Sequence, residues 1–497
     1  MTDSTIDAAL TRIPDPAPDV AAAPALRPLK FGEMALFSTG DAVAGIKDYA
    51  IGTFLLLYLT AVCGLPGSLA GLALFVSLVI DAFFDPFIGY LSDSARTRLG
   101  RRHPFMLVAM VPLAIAFTML FAVPRMGSDL GLFLYAAGML VCVRIAHSTF
   151  TLPFIALGAE ISRDYKERSL LGAFRSFFNI CGYVVGVVLA FSVFLRGPNR
   201  LSHDAYIGFG LTCALVALAA GLICTFGTLG LRNRMHVVAS HDRPSLGRFF
   251  LEVRDVVRNR SFRILFLTIL IFFVAQGVAG GLGLHITTYF WRLPDAVIQT
   301  AQMAVAFGLA TGIFVAGFVL QKFEKQQVSV AALGLFTLLQ ALPISLRLMG
   351  LLPLEGEGLH TLIYIVSVLT GWAVTCVGIA FGAMMADTAD EHEWIYGTRR
   401  EGLYFAGLTF SAKAAVGLGI FAGGVALDLT GFTREFTPQV AGGGITPDVL
   451  RNLGIAAGPI SGLVAAISVV ILTGYRLDAK KHGEIRREIE ARRGIGG

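Results

Sequence analysis

Two aspartates, Asp81 and Asp85, stand inside "VSLVIDAFFDPFIGYLSD", a stretch otherwise apolar enough to lie in a bilayer. An aspartate at the bilayer centre costs about 2.5–3.5 kcal/mol on insertion scales, so an acid there marks an ion or substrate path unless a buried base answers it. Four residues apart, the two lie one helical turn apart on one face. Carboxylates aimed at a single point form an oxygen-rich site suited to a hard cation, Na+ if the ion is sodium, or to a proton. Pro86 has no N–H, so the carbonyl of Ala82 loses its helical donor and offers a further oxygen between the acids.

Other charged residues in apolar surroundings could complete that site. Lys413, in "TFSAKAAVGLG", is a lone cation amid small residues. It either neutralises the acid pair when no cation is bound and then yields to Na+ or H+, or serves as a fixed counter-ion. Lys47 and Asp48 in "GIKDYAIG" and Arg175 in "GAFRSFFN" could face one cavity. There Asp48 accepts from the hydroxyls of a polyol and Arg175 donates a fork of hydrogen bonds; the alternative is a salt link between helices. In "VRIAHSTFTLPF", Arg144, His147, Ser148 and Thr151 lie close to one stripe of a helix. Ser148 is a neutral oxygen for the cation site, and His147 either titrates near neutral pH and ties the cycle to protons or is structural. His285 and Trp372 are further candidates for contact with a substrate, although packing accounts for both. Asp93 falls at a helix C-terminus, where the dipole disfavours an anion and the nearby Arg101 and Arg102 relieve it. Such a cluster can lock one side of a bundle, or simply keep positive charge on one side of the membrane.

These residues need long membrane helices to hold them. Of 497 residues, 55% are hydrophobic and only 15% charged, against about 25% charged in soluble domains, and mean hydropathy is +0.71. The pattern predicts an all-α membrane protein of twelve spans, near 33–61, 67–92, 104–124, 130–160, 169–194, 206–231, 262–290, 297–321, 328–349, 360–387, 401–428 and 453–476. Arginine and lysine crowd the connections after spans 2, 4, 6 and 8 and the C-terminal tail, which places both termini in the cytoplasm. The same bias explains the net charge of +6 without nucleic acid. The organisation expected is a disordered tail over 1–30, a six-helix half over 31–231, a linker over 232–261, a second half over 262–476 and a basic tail over 477–497. No basic region followed by an apolar core opens the chain, so no signal peptide is expected. Six cysteines scattered singly through apolar segments give no metal or disulfide spacing, and no Ser/His/Asp set or histidine cluster points to an enzyme.

The halves echo each other weakly. "GYLSDSAR" closes span 2 and "GFVLQKFEK" span 8; "GAEISRDYKERSLLGAFR" follows span 4 and "ADTADEHEWIYGTRREGLYFAG" span 10. Two six-helix halves with parallel repeats resemble the major-facilitator fold. More specifically, "IKDYAIG", "DAFFDPFIGYLSDSARTRLGRRHPF", "LPFIALGAEISRDYKERSLLGAFRSFF" and the span 10–11 region through Lys413 resemble the glycoside–pentoside–hexuronide:cation symporters. The resemblance runs over roughly residues 31–476. It implies cation binding by Asp81 and Asp85 with a hydroxyl from Ser148 and the lysine Lys413, and sugar binding by Asp48 and Arg175. It implies a protein of the cell membrane moving a sugar, glycoside or hexuronide with a monovalent cation, and no cofactor beyond that coupling ion; a working monomer is expected. Sugar-transporting relatives often carry an acid and a tryptophan flanking the "PF" of span 4, where this chain has Thr151 and Ile155. An amphipathic solute such as a lysolipid is therefore the alternative substrate, with a sensor or channel behind it.

Overall fold

The computed structural model describes residues 27–162, 165–234, 256–353, 355–397, 401–432 and 445–494. Most of the linker expected over 232–261 and of the tail over 1–30 lies outside them. Among the described residues, eleven helices are long and apolar enough to cross a membrane. They are α2 (Gly67–Ser94), α3 (His103–Phe121), α4 (Asp129–Ile161), α5 (Tyr165–Val188), α6 (His203–Gly227), α7 (Arg260–His285), α8 (Asp295–Leu320), α9 (Lys325–Leu348), α10 (Gly356–Tyr396), α11 (Glu401–Leu429) and α12 (Pro447–Leu472). The first helix, α1 (Phe31–Tyr49), continues through two wider π-helical stretches to Val62. It carries Glu33, Asp41, Lys47 and Asp48, more charge than a lipid-facing span tolerates. Its Phe37, Val43, Ile46 and Tyr49 are buried inside the first half.

The two halves repeat one packing scheme. In the first, α1 packs on α5 and α6, α2 on α4, and α3 on α4 and α6; in the second, α7 packs on α11 and α12, α8 on α10, and α9 on α10 and α12. The repeat extends to the turns. α1 closes with a π turn over Tyr58–Val62 and α7 with one over Ile286–Phe290, and each is followed by a residue at positive φ, then Leu-Pro, then the next helix. Gly64 takes that φ of 74° in the first half and Arg292 one of 52° in the second. A left-handed arginine is strained where glycine is not, so the turn geometry, rather than the residue, is what the repeat preserves.

The halves meet unequally. α2 lies along α11, with Gly67 against Gly424, Gly71 against Phe421, and Phe75 and Leu78 against Gly417. The symmetry-related pair, α5 and α8, touches far less. Chain direction puts the start of α1 and the end of α12 on one face of the bundle, that of the termini. The polar ties between halves gather toward the opposite, far face. There the amides of Gly67 and Ser68 donate to Asp428 at 2.6 and 2.8 Å. Asp295 accepts from the Gly197 amide and pairs with Arg200. Tyr183 donates to Gln302, Gln299 to Ser192 and Arg200 to Thr288, and Thr60 meets the buried His285 at 3.1 Å.

The C-terminal segment is ordered helix. α13 (Ala479–Gly494) packs on the end of α10, burying Ile485 and Ile489. Its basic residues meet an acidic helix end: His482 lies 3.1 Å from Asp390, Lys481 3.8 Å from Glu391, and Trp394 donates to Glu488.

Candidate functional site

Asp81 and Asp85 sit at mid-length of α2 with Pro86 directly after them, inside the helix. Asp81 is 3% exposed. Ser148 of α4 donates to its Oδ1 at 2.8 Å, which the close packing of α2 on α4 allows. Lys413 of α11 donates to Oδ2 of Asp81 at 2.7 Å and to Oδ2 of Asp85 at 2.5 Å. One ammonium from the second half is thus shared by two carboxylates of the first. The remaining oxygen, Asp85 Oδ1, is buried with no hydrogen-bond partner. Lys413 reaches the acids because the glycines above it, Gly417 and Gly424, leave no side chain to hold α11 off α2. The bridge is the innermost tie of the α2–α11 seam.

More positive charge surrounds this pair. Lys47 of α1 is 6% exposed and bonds Asp48 at 2.7 Å, while Asp48 itself is 64% exposed. Lys47 and Arg144 both act electrostatically on Asp81, and His147 lies within reach of all three and of Lys413. His147 Nε2 and the Thr151 hydroxyl are 3.1 Å apart, one turn along α4.

Arg175 takes a different partner from the Asp48 considered in the sequence. Its Nε donates to Asp41 Oδ2 at 2.7 Å, and its guanidinium lies over the Phe154 ring, 5.1 Å from the centroid. Asp41 was not singled out from the sequence, although it lies seven residues before Asp48 and so on the same helix face. Glycine packing makes the pairing: a Cβ on Gly45 would strike the backbone of Asn179, and one on Gly182 that of Ala42. Trp372 donates its indole N–H to Thr311 of α8 at 2.8 Å. His285 is fully buried between the halves.

The Asp93 cluster ties elements of the first half together. Arg102 bonds Asp93 at 2.5 Å, Ser92 at 2.8 Å and Glu160 at 2.8 Å, and Arg101 reaches Glu160 at 2.8 Å. These bonds clamp the α2–α3 turn to the end of α4. Glu160 was missed as a named site residue, although its segment "GAEISRD" stood out as one side of the internal repeat. The other side of that repeat does the same work: Lys325, opening α9, bonds Asp387 near the end of α10 at 2.6 Å.

Residues 36–479 match the family described as MFS/sugar transport protein. A protein of Synechocystis sp. named as an uncharacterized symporter is 24% identical, the match covering 93% of this chain and 97% of that one. A glucuronide carrier protein homolog of Escherichia coli is 25% identical over 92% and 95%. An isoprimeverose transporter of Lactiplantibacillus pentosus is 22% identical over 80% of each. Among solved structures, that of a D-xylose–proton symporter superposes with a TM-score of 0.61 at 15% identity, covering 91% of this chain and 99% of that one. That likeness concerns the fold.

Proposed function

The chain belongs to the MFS/sugar transport protein family, and from that membership we propose that it is a cation-coupled secondary symporter, moving a sugar, glycoside or hexuronide with Na+ or H+ by alternating access. The observation that carries the reading is the Lys413 ammonium shared between Asp81 and Asp85. Two carboxylates of one half hold one positive charge, and that charge belongs to the other half. A mobile cation of equal charge can take the ammonium's place among hard oxygen donors from Asp81, Asp85 and Ser148. Lys413 then comes free, and the innermost tie of the seam goes with it. Cation occupancy and the angle between the halves become one equilibrium, as alternating access requires. By linkage, cation tightens substrate binding by the same factor as substrate tightens cation binding.

Exposed Asp48 and half-buried Thr151 and Arg175 support the organic side of the site, since hydroxyls need acceptors and a donor fork to replace water. The names of the glucuronide carrier homolog and the isoprimeverose transporter point to the same solute class. The chain is a multi-pass membrane protein. Its basic connections on the face of the termini support a cytoplasmic assignment for that face, in a cell membrane. With the ties between halves gathered at the far face, the conformation reads as open toward the termini. Both halves of the site come from one chain, which supports a working monomer.

The test is uptake into proteoliposomes of a neutral sugar, a glucuronide and a lysolipid, with a Na+ gradient at fixed pH and a pH gradient at fixed Na+. Concentrative uptake of the sugar or glucuronide driven by either gradient is expected. Uptake of none overturns the proposal, and uptake of the lysolipid alone transfers it to an amphipathic solute.

A further inference from the structure

Arg144 stands at mid-length of α4 with no hydrogen bond and no ion pair among the described residues, and its Nε is closed off from solvent. A guanidinium stays charged and presents a rigid fork of donors that matches the oxygens of a carboxylate, sulfonate or phosphate group. Such a fork left empty inside a membrane bundle is costly, and residues of this kind mark a ligand's path.

The charges around it explain what the fork is for. Lys47, Arg144 and Lys413 act on a region that holds Asp48, Asp81 and Asp85. Three cations answer three anions, while Arg175 and Asp41 cancel each other. The region is therefore neutral before any coupling ion arrives. A cation entering beside the acids adds a charge that no remaining carboxylate balances, and uncompensated charge is expensive where water is scarce. An anionic group on the organic substrate, seated on the free fork, removes the excess, and the two solutes enter as a neutral pair.

We propose that Arg144, with Lys47 and the His147–Thr151 pair beside it, is an anion-accepting subsite: the substrate is a small polar solute bearing a carboxylate, sulfonate or phosphate-ester group, and Arg144 sets that preference. This rests on the transport reading for its setting, but not for its test. The probes are methyl glucoside and three anionic counterparts of similar size: methyl glucuronide, 6-deoxy-6-sulfoglucose and glucose 6-phosphate. Each is measured by uptake into proteoliposomes of the full chain under combined Na+ and pH gradients. Each is also measured by the shift it gives the unfolding temperature of the detergent-solubilised protein. At least one anion should outperform the neutral glucoside by about 10- to 100-fold in uptake or binding, the range a charge-assisted fork supplies, and its identity separates the three acid types. Arg144→Gln should bring that ratio close to one, and Arg144→Lys should keep part of it. If Arg144→Gln fails to fold, the wild-type ratio and Arg144→Lys decide. A wild type that handles the glucoside as well as every anion overturns the proposal, as does an Arg144→Gln protein with its anion preference intact. Anion-selective binding without uptake of any solute would sustain the subsite and defeat the symport reading instead.

Discussion

Replacing Lys413 by methionine keeps the length and bulk of the side chain and removes its charge. The ammonium lies 2.7 and 2.5 Å from the carboxylates of Asp81 and Asp85, so the variant leaves two acids facing each other one turn apart. Removing one partner of a buried ion pair costs about 3–5 kcal/mol. Two carboxylates lose a partner here, but Asp81 keeps the Ser148 hydrogen bond and the field of Arg144, so that range stands for the pair together. Scaling the usual shift per kcal/mol to a chain of this length gives a fall of about 3–10 °C in unfolding temperature. If the acids form a cation site, much of the loss is recoverable: a ligand at a hundred times its Kd adds about 2.7 kcal/mol to the folded state. The assay is thermal unfolding of the purified protein, with choline replacing Na+ at fixed pH, then with pH varied at fixed Na+. Lowering the pH protonates a carboxylate and removes the repulsion, so it should act in the same direction as Na+. The Lys413→Met protein should respond to Na+ or to acid more strongly than the wild type, because no ammonium competes. A variant that unfolds with the wild type under every condition, or whose loss neither Na+ nor protons relieve, refutes the reasoning.

Asp85→Asn should abolish cation-stimulated uptake while moving stability by no more than about 1 kcal/mol, an ordinary single-site effect; continued accumulation of substrate against a gradient would remove Asp85 from the coupling step. Arg175→Ala should weaken substrate binding more than cation binding in separate titrations. Equal losses would assign Arg175 to its Asp41 pairing alone. Asp428→Ala removes the acceptor of two backbone donors, each such charge-assisted bond being worth about 1.5–3 kcal/mol. It should raise several-fold the rate at which a cysteine at Phe75 is alkylated from the far face in a cysteine-free background, and an unchanged rate would mean that Asp428 does not hold that face closed.

The helices were legible because lipid demands long apolar runs, and most of the twelve were read within a few residues of their ends; α10 runs on to Tyr396, past the expected 387, and α12 opens at Pro447, ahead of the expected 453. Lys413 was legible as the partner of the acid pair because a lone cation among small residues has few other places to go. The partner of Arg175 was not. Asp41 and Asp48 share one face of α1, and the choice between them depends on where glycines at positions 45 and 182 let α5 slide against α1, a tertiary distance with no local signature. Glu160 and Asp428 were overlooked for a related reason: each lies at a helix end, where an acid looks like ordinary surface until the chain it clamps is known. The C-terminal segment read as a basic tail by composition, yet it docks, since the acidic end of α10 supplies a surface that only the folded chain assembles.

The two diagonal contacts between the halves differ greatly, one running long between α2 and α11 and the other slight between α5 and α8. A body sewn along the length of one edge and tied only at the far end of the other turns like a book about its spine. Lys413 and its two acids sit on the spine, where displacement is least and a shift of a few tenths of an ångström decides whether a bond exists. Arg175 rides near the fore-edge, where the same rotation sweeps through the greatest arc. Under the proposed symport, ion sensing falls where movement is finest, and solute handling where it is widest.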